Sequence, residues 1–298
     1  MDFKKFIQGI FDSLKILKGE DPDVVFLKGG YVSLPFGIAC SLKGYPYFIH
    51  ESDIIPGLAN RILAKKADKI FVSYPLKNFP TIKKEKLIYS GNPFRKNLFN
   101  SGNKNDSYNK FGFNKKLKTI LVLGGSQGAR KINEIFSEKL EAYLAKYQVI
   151  HISGDFDYDW LDYKSDKYSH RDRYKLFSFL TNDLKDAYAV SDIVISRAGN
   201  NVLTEISALS KPAIIIPLES SANDHQLANA KAYSREGAAY MMLQSHLTPE
   251  KLFSQVDKLL NDNDELAFLS NKVHSLYKED AASVIAKEIS FFMIKKLR

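Results

Sequence analysis

The stretch ILVLGGSQGAR, from Ile120 to Arg130, decides the fold class of this chain. An apolar run of strand type leads directly into a turn that contains Gly124, Gly125 and Gly128, and a helical pattern follows. Glycines let the backbone turn tightly, and a helix N-terminus presents free N–H groups and a positive dipole to a phosphate. The spacing is neither the Walker A pattern nor GxGxxG, so an ATPase or an NAD enzyme is not favoured. A glycine-rich turn with a purely structural role explains this stretch equally well.

Short apolar runs alternate with helical patterns on the C-terminal side of this stretch. Such alternation predicts βαβ crossovers and a parallel sheet. The expected strands are Thr119–Leu123, Gln148–Ile152, Ile193–Ile195 and Ala213–Ile216, with helices near 131–146, 201–209 and 224–235.

A similar series precedes it, so we expect an α/β protein with two domains. Its strands are predicted at Val24–Leu27, Tyr47–His50 and Ile70–Val72, and its helices at Leu34–Leu42 and Leu58–Lys66. Residues 96–118 are rich in Asn, Lys, Ser and Gly, which is typical of a domain edge. The expected limits are 1–96 and 97–280, followed by a C-terminal part, 281–298, with one more amphipathic helix at Ala281–Lys296. In open parallel sheets ligands bind at the carboxyl ends of the strands.

The composition is that of an ordinary globular protein of 298 residues, 45% hydrophobic and 26% charged. Apolar runs such as Ala213–Leu218 are far shorter than the ~18 residues of a membrane span. Asp12 interrupts the N-terminal apolar residues too early for a secretory signal, so we expect a cytoplasmic protein. Cys40 is the single cysteine, and no CxxC or HExxH spacing occurs. We therefore expect no disulfide, metal or other cofactor.

The charge is concentrated in the first third of the chain. The formal net charge is +9, and residues 1–96 hold 16 basic and 9 acidic groups, a net +7. Such a region attracts polyanions: phospholipid head groups, nucleic acid or a pyrophosphorylated substrate. A lysine-rich surface that serves solubility explains the charge equally well. Nucleic-acid binding has only the charge in its favour, because no RNA- or DNA-reading motif accompanies it.

The N-terminus carries an amphipathic helical pattern, with lysines between apolar residues at three- and four-residue steps. These apolar residues are Phe3, Phe6, Ile7, Ile10, Phe11, Leu14 and Leu17. The pattern favours a helix that covers a parallel sheet, and the alternative is a helix that lies on a membrane.

Two later segments could also meet a ligand. In the segment from Val194 to Glu219, Arg197-Ala198-Gly199-Asn200 joins a strand to a helix and forms a second candidate phosphate turn. Glu205 lies one turn beyond Asn201, where its carboxylate could accept hydrogen bonds from two sugar hydroxyls; a favourable helix-dipole interaction is the alternative. Polar residues 223–226 and Asn229 open a further helix, for which a solvated N-cap is the alternative.

Taken together, these motifs resemble the MurG-type family of UDP-N-acetylglucosamine transferases, which have the GT-B fold of two Rossmann-like domains. Its motifs GGSxGAR, RSGxxTxxE and DHQxxNA resemble Gly124–Arg130, Arg197–Glu205 and Asp224–Ala230. GGYVSGP, HEQNxxPGLAN and GNPVR resemble segments within Lys28–Pro35, His50–Asp68 and Gly91–Arg95. The resemblance runs from about Pro22 to Leu252, and six motifs in one order make it specific.

The resemblance implies transfer of N-acetylglucosamine, with inversion, from UDP-N-acetylglucosamine to undecaprenyl-pyrophosphoryl-N-acetylmuramoyl-pentapeptide. This step converts lipid I into lipid II in peptidoglycan synthesis. It also implies that Ser126 and Arg95 meet the diphosphate, Leu180 the uracil and Glu205 the ribose. The other implied donor contacts are Asn200, Asn201, Thr204 and Gln226. The GT-B pattern generally lacks a metal-holding Asp-x-Asp, so the resemblance implies no metal. Helix termini and arginine would then stabilise the departing UDP.

The chain departs from the family pattern at three places. The family's opening GGTGGHxxPA loop, with its His, does not occur in this sequence, so we expect a truncated first domain. Asp53 stands where the family has Asn, and Val202 replaces a Thr. In place of the family's His, we take Asp53, His50 and Glu51 as candidate catalytic residues.

The departures leave a second function open, a noncatalytic UDP-sugar-binding or scaffolding remnant of such an enzyme. They also imply partners that cover the incomplete first sheet. The candidates are a separate N-terminal polypeptide, a second copy of this chain, and the anionic inner membrane surface. The expected location is therefore peripheral, on the cytoplasmic face of the cell membrane.

Overall fold

The computed structural model describes residues 3–99, 103–124, 129–219 and 224–296. The chain divides into two compact units: residues 1–93 with 278–298, and residues 94–277. The division thus lies three residues before the limit expected from the sequence. The C-terminal helix belongs to the first unit.

The helices and strands follow one another along the chain in an almost regular alternation. As far as Leu123 they are α1 (Phe3–Glu20), β1 (Val25–Leu27), α2 (Ser33–Lys43), β2 (Tyr47–Glu51), α3 (Leu58–Leu63), β3 (Lys69–Val72), β4 (Leu87–Tyr89), α4 (Lys104–Phe111) and β5 (Thr119–Leu123). Beyond the next turn they are α5 (Arg130–Glu138), α6 (Leu140–Lys146), β6 (Gln148–Ile152), α7 (Asp155–Ser165), β7 (Tyr174–Phe177), α8 (Leu184–Val190), β8 (Ile193–Ser196), α9 (Asn200–Ala208), β9 (Ala213–Ile215), α10 (His225–Arg235), β10 (Tyr240–Met241), α11 (Pro249–Leu260), α12 (Asn263–Ser275) and α13 (Ala281–Lys296).

In the described part of the first unit, one parallel sheet has the order β1-β2-β3-β4. Its buried Phe48 and Phe71 pack with Ile285 of α13 in one apolar cluster. The rings of Phe48 and Phe292 meet edge to face, with 5.0 Å between their centroids. The C-terminal helix therefore packs on this sheet and belongs to its core.

The N-terminal helix α1 is confirmed, and its expected position over a sheet stays a prediction. It packs mainly against α2, where Gly9 lies so close to Pro35 that an added Cβ would stand 3.3 Å from the proline ring. Leu17 is buried, whereas Phe3 and Phe11 are 73% and 57% exposed. Helix α1 therefore keeps a partly apolar exposed surface.

Several elements are absent from the sequence expectations. β4, β7, β10, α7, α8, α11 and α12 have no counterpart there, and α4 lies inside the segment expected to be a linker. The expected helix near 131–146 is divided at Lys139 into α5 and α6. β4 has three residues after a run of lysines, so no alternation of apolar and polar residues could reveal it.

The sheet in the described part of the second unit is also parallel and has the order β10-β9-β8-β5-β6-β7. From β5 the chain builds outward through β6 and β7, then returns to the other side of β5 and builds outward through β9 and β10. This reversal is the doubly wound arrangement, in which ligands bind beside the carboxyl ends of the two strands at the reversal. Those ends are level, because Leu123 of β5 pairs with Ser196 of β8.

A buried polar network supports the helix that follows the β5 turn. Asn133 of α5 donates through Nδ2 to Ser153 O at 2.9 Å and to Asp157 Oδ2 at 2.8 Å. Its Oδ1 can therefore only accept, and His151 Nε2 donates to it at 2.9 Å. The hydroxyl of Tyr174 then donates to His151 Nδ1 at 2.9 Å. The contacts require a neutral imidazole, and burial lowers the pKa of His151 to about 3.

The depressed pKa of His151 predicts a stability that rises with pH. At pH 5 the unfolded chain, with a histidine pKa of 6.5, binds a proton that the folded chain excludes. This proton lowers the free energy of unfolding at pH 5 relative to pH 7. The expected difference is about 2 kcal/mol. We expect His151→Gln to remove this part of the difference between pH 5 and pH 7 in urea unfolding. Fluorescence of the single tryptophan, Trp160, reports on the second unit.

His246, which is exposed in the same unit, provides the control. His246→Gln should leave the pH dependence unchanged. An equal effect of both substitutions would contradict the assignment to His151.

Candidate functional site

The turn after β5 begins at a glycine whose surroundings leave no room for a Cβ atom. Gly124 donates its N–H to Ile152 O at 2.8 Å, at the end of β6. A Cβ at this position would lie 2.9 Å from Ile152 O, 3.0 Å from Ser153 O and 3.2 Å from Ala129 N, all backbone atoms. Because glycine has no side chain, the end of β5, the end of β6 and the start of α5 can approach one another closely. Gly125, Ser126 and Gly128 lie outside the described residues.

The turn after β8 is tied to the neighbouring strand by an arginine. Arg197 donates to Ile216 O at 3.2 Å and to Gln244 Oε1 at 2.6 Å, and burial lowers the pKa of its guanidinium. Gly199 is the N-cap residue of α9, and an added Cβ there would meet nothing within 4 Å. The predicted turn is therefore in place, with Arg197 fastening it to the segment after β9.

The other residues predicted to contact the donor lie on α9 and on nearby segments of the same unit. Asn200 and Thr204 are buried, and Thr204 Oγ1 donates to Asn200 O at 2.7 Å. Asn201, on the same helix, is exposed. Gln226, near the start of α10, accepts through Oε1 from Leu218 N at 3.1 Å. Leu180 is buried in the segment after β7.

Glu205 is the most constrained acidic residue of this site. Its side chain is 7% exposed, and Arg95 donates to its Oε1 at 2.6 Å. Tyr188 donates to Oε2 at 2.9 Å. Burial and the charge of Glu205 raise the pKa of Tyr188, so the phenol keeps its proton and remains a donor. No sequence motif points to Tyr188, because a tyrosine inside a short helix carries no motif signal.

In the first unit, polar residues gather at the carboxyl ends of the strands. His50, near the end of β2, is buried, and its Nε2 donates to Gly91 O at 3.0 Å. Burial, together with the charge of Lys28, lowers the pKa of His50 to about 4, although the hydrogen bond to Gly91 opposes the shift. Lys28 itself, directly after β1, donates through Nζ to Asn92 Oδ1 at 3.1 Å. The imidazole is therefore neutral and enclosed, which suits a structural role better than contact with substrate.

Glu51 organises the loop that follows β2. Its Oε1 accepts from Asp53 N at 3.0 Å, and its Oε2 accepts from Gly57 N and Asn60 Nδ2, both at 2.9 Å. Burial raises the pKa of Glu51, while these hydrogen bonds oppose that shift. With both carboxylate oxygens committed to the protein, Glu51 supports the backbone of Asp53.

The described part of the chain holds neither a metal-binding cluster nor a membrane-spanning helix. No three His, Cys, Asp or Glu side chains come together there in a group that could hold a metal ion. No helix there combines the length and the apolar content that crossing a membrane requires.

Two family models match this chain. The model of the glycosyltransferase family 28 N-terminal domain matches residues 1–72. The model of the family 28 C-terminal domain matches residues 119–289, more than half of the chain. The chain belongs to glycosyltransferase family 28. The second match contains the β5 turn, the β8 turn and Glu205, so the site lies inside the family's own domain.

Named relatives of this family 28 chain are similar over most of their length. It is 37% identical to the UDP-N-acetylglucosamine--N-acetylmuramyl-(pentapeptide) pyrophosphoryl-undecaprenol N-acetylglucosamine transferase 3 of Bacillus thuringiensis, over 87% of this chain and 71% of the relative. The transferase of the same description from Staphylococcus carnosus is 36% identical, over 96% and 77%. The crystal structure of MurG from Acinetobacter baumannii superposes with a TM-score of 0.75 at 26% identity, covering 96% of this chain and 78% of that one.

These comparisons confirm the resemblance to MurG-type transferases and the α/β fold class with two parallel sheets. The chain is a glycosyltransferase, as expected. The roles of individual residues remain predictions at this point.

The close approach at Gly124 predicts a sharp contrast between two glycines of this family 28 site. Gly124→Ala forces a methyl group onto three backbone atoms, so we expect the free energy of unfolding to fall by about 1–3 kcal/mol. Gly199→Ala meets open space and should cost no more than about 1 kcal/mol through its N-cap position. Urea unfolding followed by Trp160 fluorescence measures both. Equal losses would contradict the packing described for the β5 turn.

Proposed function

We propose that this family 28 glycosyltransferase transfers N-acetylglucosamine from UDP-N-acetylglucosamine to undecaprenyl-pyrophosphoryl-N-acetylmuramoyl-pentapeptide. One observation carries the proposal. Transferases named for this reaction are 36–37% identical to the chain, over 87–96% of its length. The doubly wound second unit, with a strand-to-helix turn at each of its two central strands, supplies the donor site that such a reaction needs.

The donor is proposed to bind at the carboxyl ends of β5 and β8. The N-termini of α5 and α9 lie at this edge and offer partial positive charge to the diphosphate. Arg95 supplies a full positive charge, and Glu205 accepts hydrogen bonds from the ribose hydroxyls. The same groups stabilise UDP as it leaves with its negative charge.

Transfer with inversion requires one base and one departing group. The acceptor hydroxyl attacks the anomeric carbon and forms the new C–O bond, while the bond from that carbon to the β-phosphate oxygen breaks and UDP leaves. The hydroxyl proton passes to a general base. We assign that base to Asp53, because Glu51 holds its backbone in place and both Glu51 and His50 are engaged inside the protein.

The proposed reaction predicts that Asp53→Asn separates donor binding from turnover. Removing the base should slow UDP release in the presence of a lipid I analogue by about 10²–10⁴-fold. The affinity for UDP, measured by calorimetry, should not change, because UDP carries no acceptor hydroxyl whose proton the base would take. Asp68→Asn, at a carboxylate of the same unit that accepts from Tyr47 N, is the matched control and should retain turnover.

The assay is run with and without a polypeptide that carries the family's GGTGGH motif. Unchanged or faster turnover by Asp53→Asn would reject Asp53 as the base. Well-folded wild-type protein that releases no UDP under either condition would reject the transferase proposal and favour a noncatalytic UDP-sugar-binding protein.

The first unit is proposed to contact the anionic inner membrane surface, where a polyprenyl-linked acceptor resides. A cavity of about 570 Å³ in this unit is lined by Arg61, Lys65, Lys83 and Lys86, with Pro56, Ala64, Thr81 and Ile82. Exposed aromatic side chains of α1 add apolar surface. Cations and aromatics together suit the head-group region of a membrane.

Strand β1 offers a further contact. Within the described residues it pairs with β2 alone, so one of its edges can accept another strand. We propose that a polypeptide carrying the GGTGGH motif, or a second copy of this chain, occupies that edge.

The membrane proposal predicts selective loss of lipid binding when the cavity loses its charge. Replacing Arg61, Lys65 and Lys83 together by Gln should weaken binding to vesicles that contain phosphatidylglycerol by about 10²-fold, at roughly 1 kcal/mol per charge. The matched control replaces three exposed lysines of the second unit, Lys115, Lys116 and Lys231, by Gln. Equal weakening in sedimentation with vesicles would contradict a specific role of the cavity.

A further inference from the structure

We propose that Arg95 and the ribose of the donor compete for the Glu205 carboxylate, and that the donor's diphosphate ends the competition by drawing Arg95 away. Tyr188 holds the carboxylate in position during this exchange. The inference rests on the proposed function, because it takes Glu205 as the acceptor of the ribose hydroxyls.

The carboxylate has little room for a third partner. Tyr188 occupies Oε2 from the protein interior, and Arg95 occupies Oε1 at 2.6 Å. Only 7% of the Glu205 side chain is exposed. A hydroxyl arriving from solvent therefore approaches Glu205 where the guanidinium of Arg95 already lies.

The two partners of Glu205 differ in how easily they can leave. Tyr188 is buried and keeps its proton, so it continues to donate. The Arg95 side chain is 59% exposed, and an ion pair with a largely exposed partner is weak. Arg95 is thus the partner that exchanges, and Tyr188 is the partner that stays.

The backbone at Arg95 is anchored, so the exchange is a movement of the side chain. The ring of the preceding Phe94 packs against Phe99 and Tyr277, with centroid distances of 4.7 and 6.0 Å. Arg95 O accepts from Leu98 N at 2.9 Å. A guanidinium on a fixed backbone can move from a carboxylate to a nearby phosphate by changing its side-chain torsions.

This arrangement makes Arg95 a specificity-determining residue that favours nucleotides over nucleosides. Uridine has no phosphate, so its ribose must displace Arg95 without compensation. UDP offers Arg95 a diphosphate of higher charge than the carboxylate it leaves. Recognition of the ribose and recognition of the diphosphate are therefore coupled through one side chain.

Arg95→Gln tests the competition, because it should change the two affinities in opposite directions. UDP binding loses the positive charge that faces the diphosphate, so the affinity for UDP should fall by about 10- to 100-fold. Uridine no longer competes with the Arg95 guanidinium for the Glu205 carboxylate, so it should bind about two- to fivefold more tightly. Calorimetry measures UDP, and displacement of a fluorescent UDP analogue measures both ligands. Lys110→Gln, which removes a 2.6 Å ion pair to Asp183 in the same unit, should leave both affinities unchanged.

Tyr188→Phe tests the positioning role. The wild type should prefer UDP to 2′-deoxy-UDP, because Glu205 accepts from the 2′-hydroxyl. Loss of the phenol hydroxyl frees the carboxylate to rotate, so the preference should shrink. A purely structural role of Tyr188 would weaken the binding of UDP and of 2′-deoxy-UDP equally and leave the ratio of the two affinities unchanged.

The outcomes separate the inference from the function on which it rests. A wild type that binds neither UDP nor uridine would reject the donor site and the inference together. A wild type that binds UDP, with an Arg95→Gln variant in which uridine binding is unchanged or weaker, would reject the competition and leave the transferase proposal standing.

Discussion

The reversal of strand order between β5 and β8 is the constraint on which the second unit depends. It places the ends of two central strands side by side, so that each strand can deliver a turn and a helix N-terminus to the same edge of the sheet. The approach of backbone atoms to Gly124 fixes the position where one turn begins, and Arg197 fastens the other turn to the segment after β9. The site is therefore a consequence of sheet topology, to which a few side chains are added.

Two buried carboxylates give the two units their local order. Glu205 of α9 accepts hydrogen bonds from Tyr188 of α8 and from Arg95. Glu51 accepts hydrogen bonds from Asp53 N, Gly57 N and Asn60 in and after the loop that follows β2. A buried carboxylate is costly unless donors surround it, so each one fixes the backbone or side chains that satisfy it. In our account one carboxylate meets the donor directly, and the other positions the base.

The sequence predicted features that depend on local pattern and missed those that depend on distant packing. The helix Ala281–Lys296 has the predicted bounds because its periodicity is visible locally, yet its position on the first sheet depends on Phe48, far away in sequence. The motifs pointed to the glycine turns and to Glu205, whose roles at the donor stay predictions. Tyr188 and the strand β4 carry no such signal, because the role of one depends on burial and the other has only three residues.

We propose that the edge formed by β5 and β8 holds the donor, and crystals soaked with UDP-N-acetylglucosamine test this proposal. We expect density for the diphosphate at the N-termini of α5 and α9, with the ribose hydroxyls within hydrogen-bonding distance of Glu205. Density for the nucleotide elsewhere, with Glu205 still bound to Arg95, would contradict it.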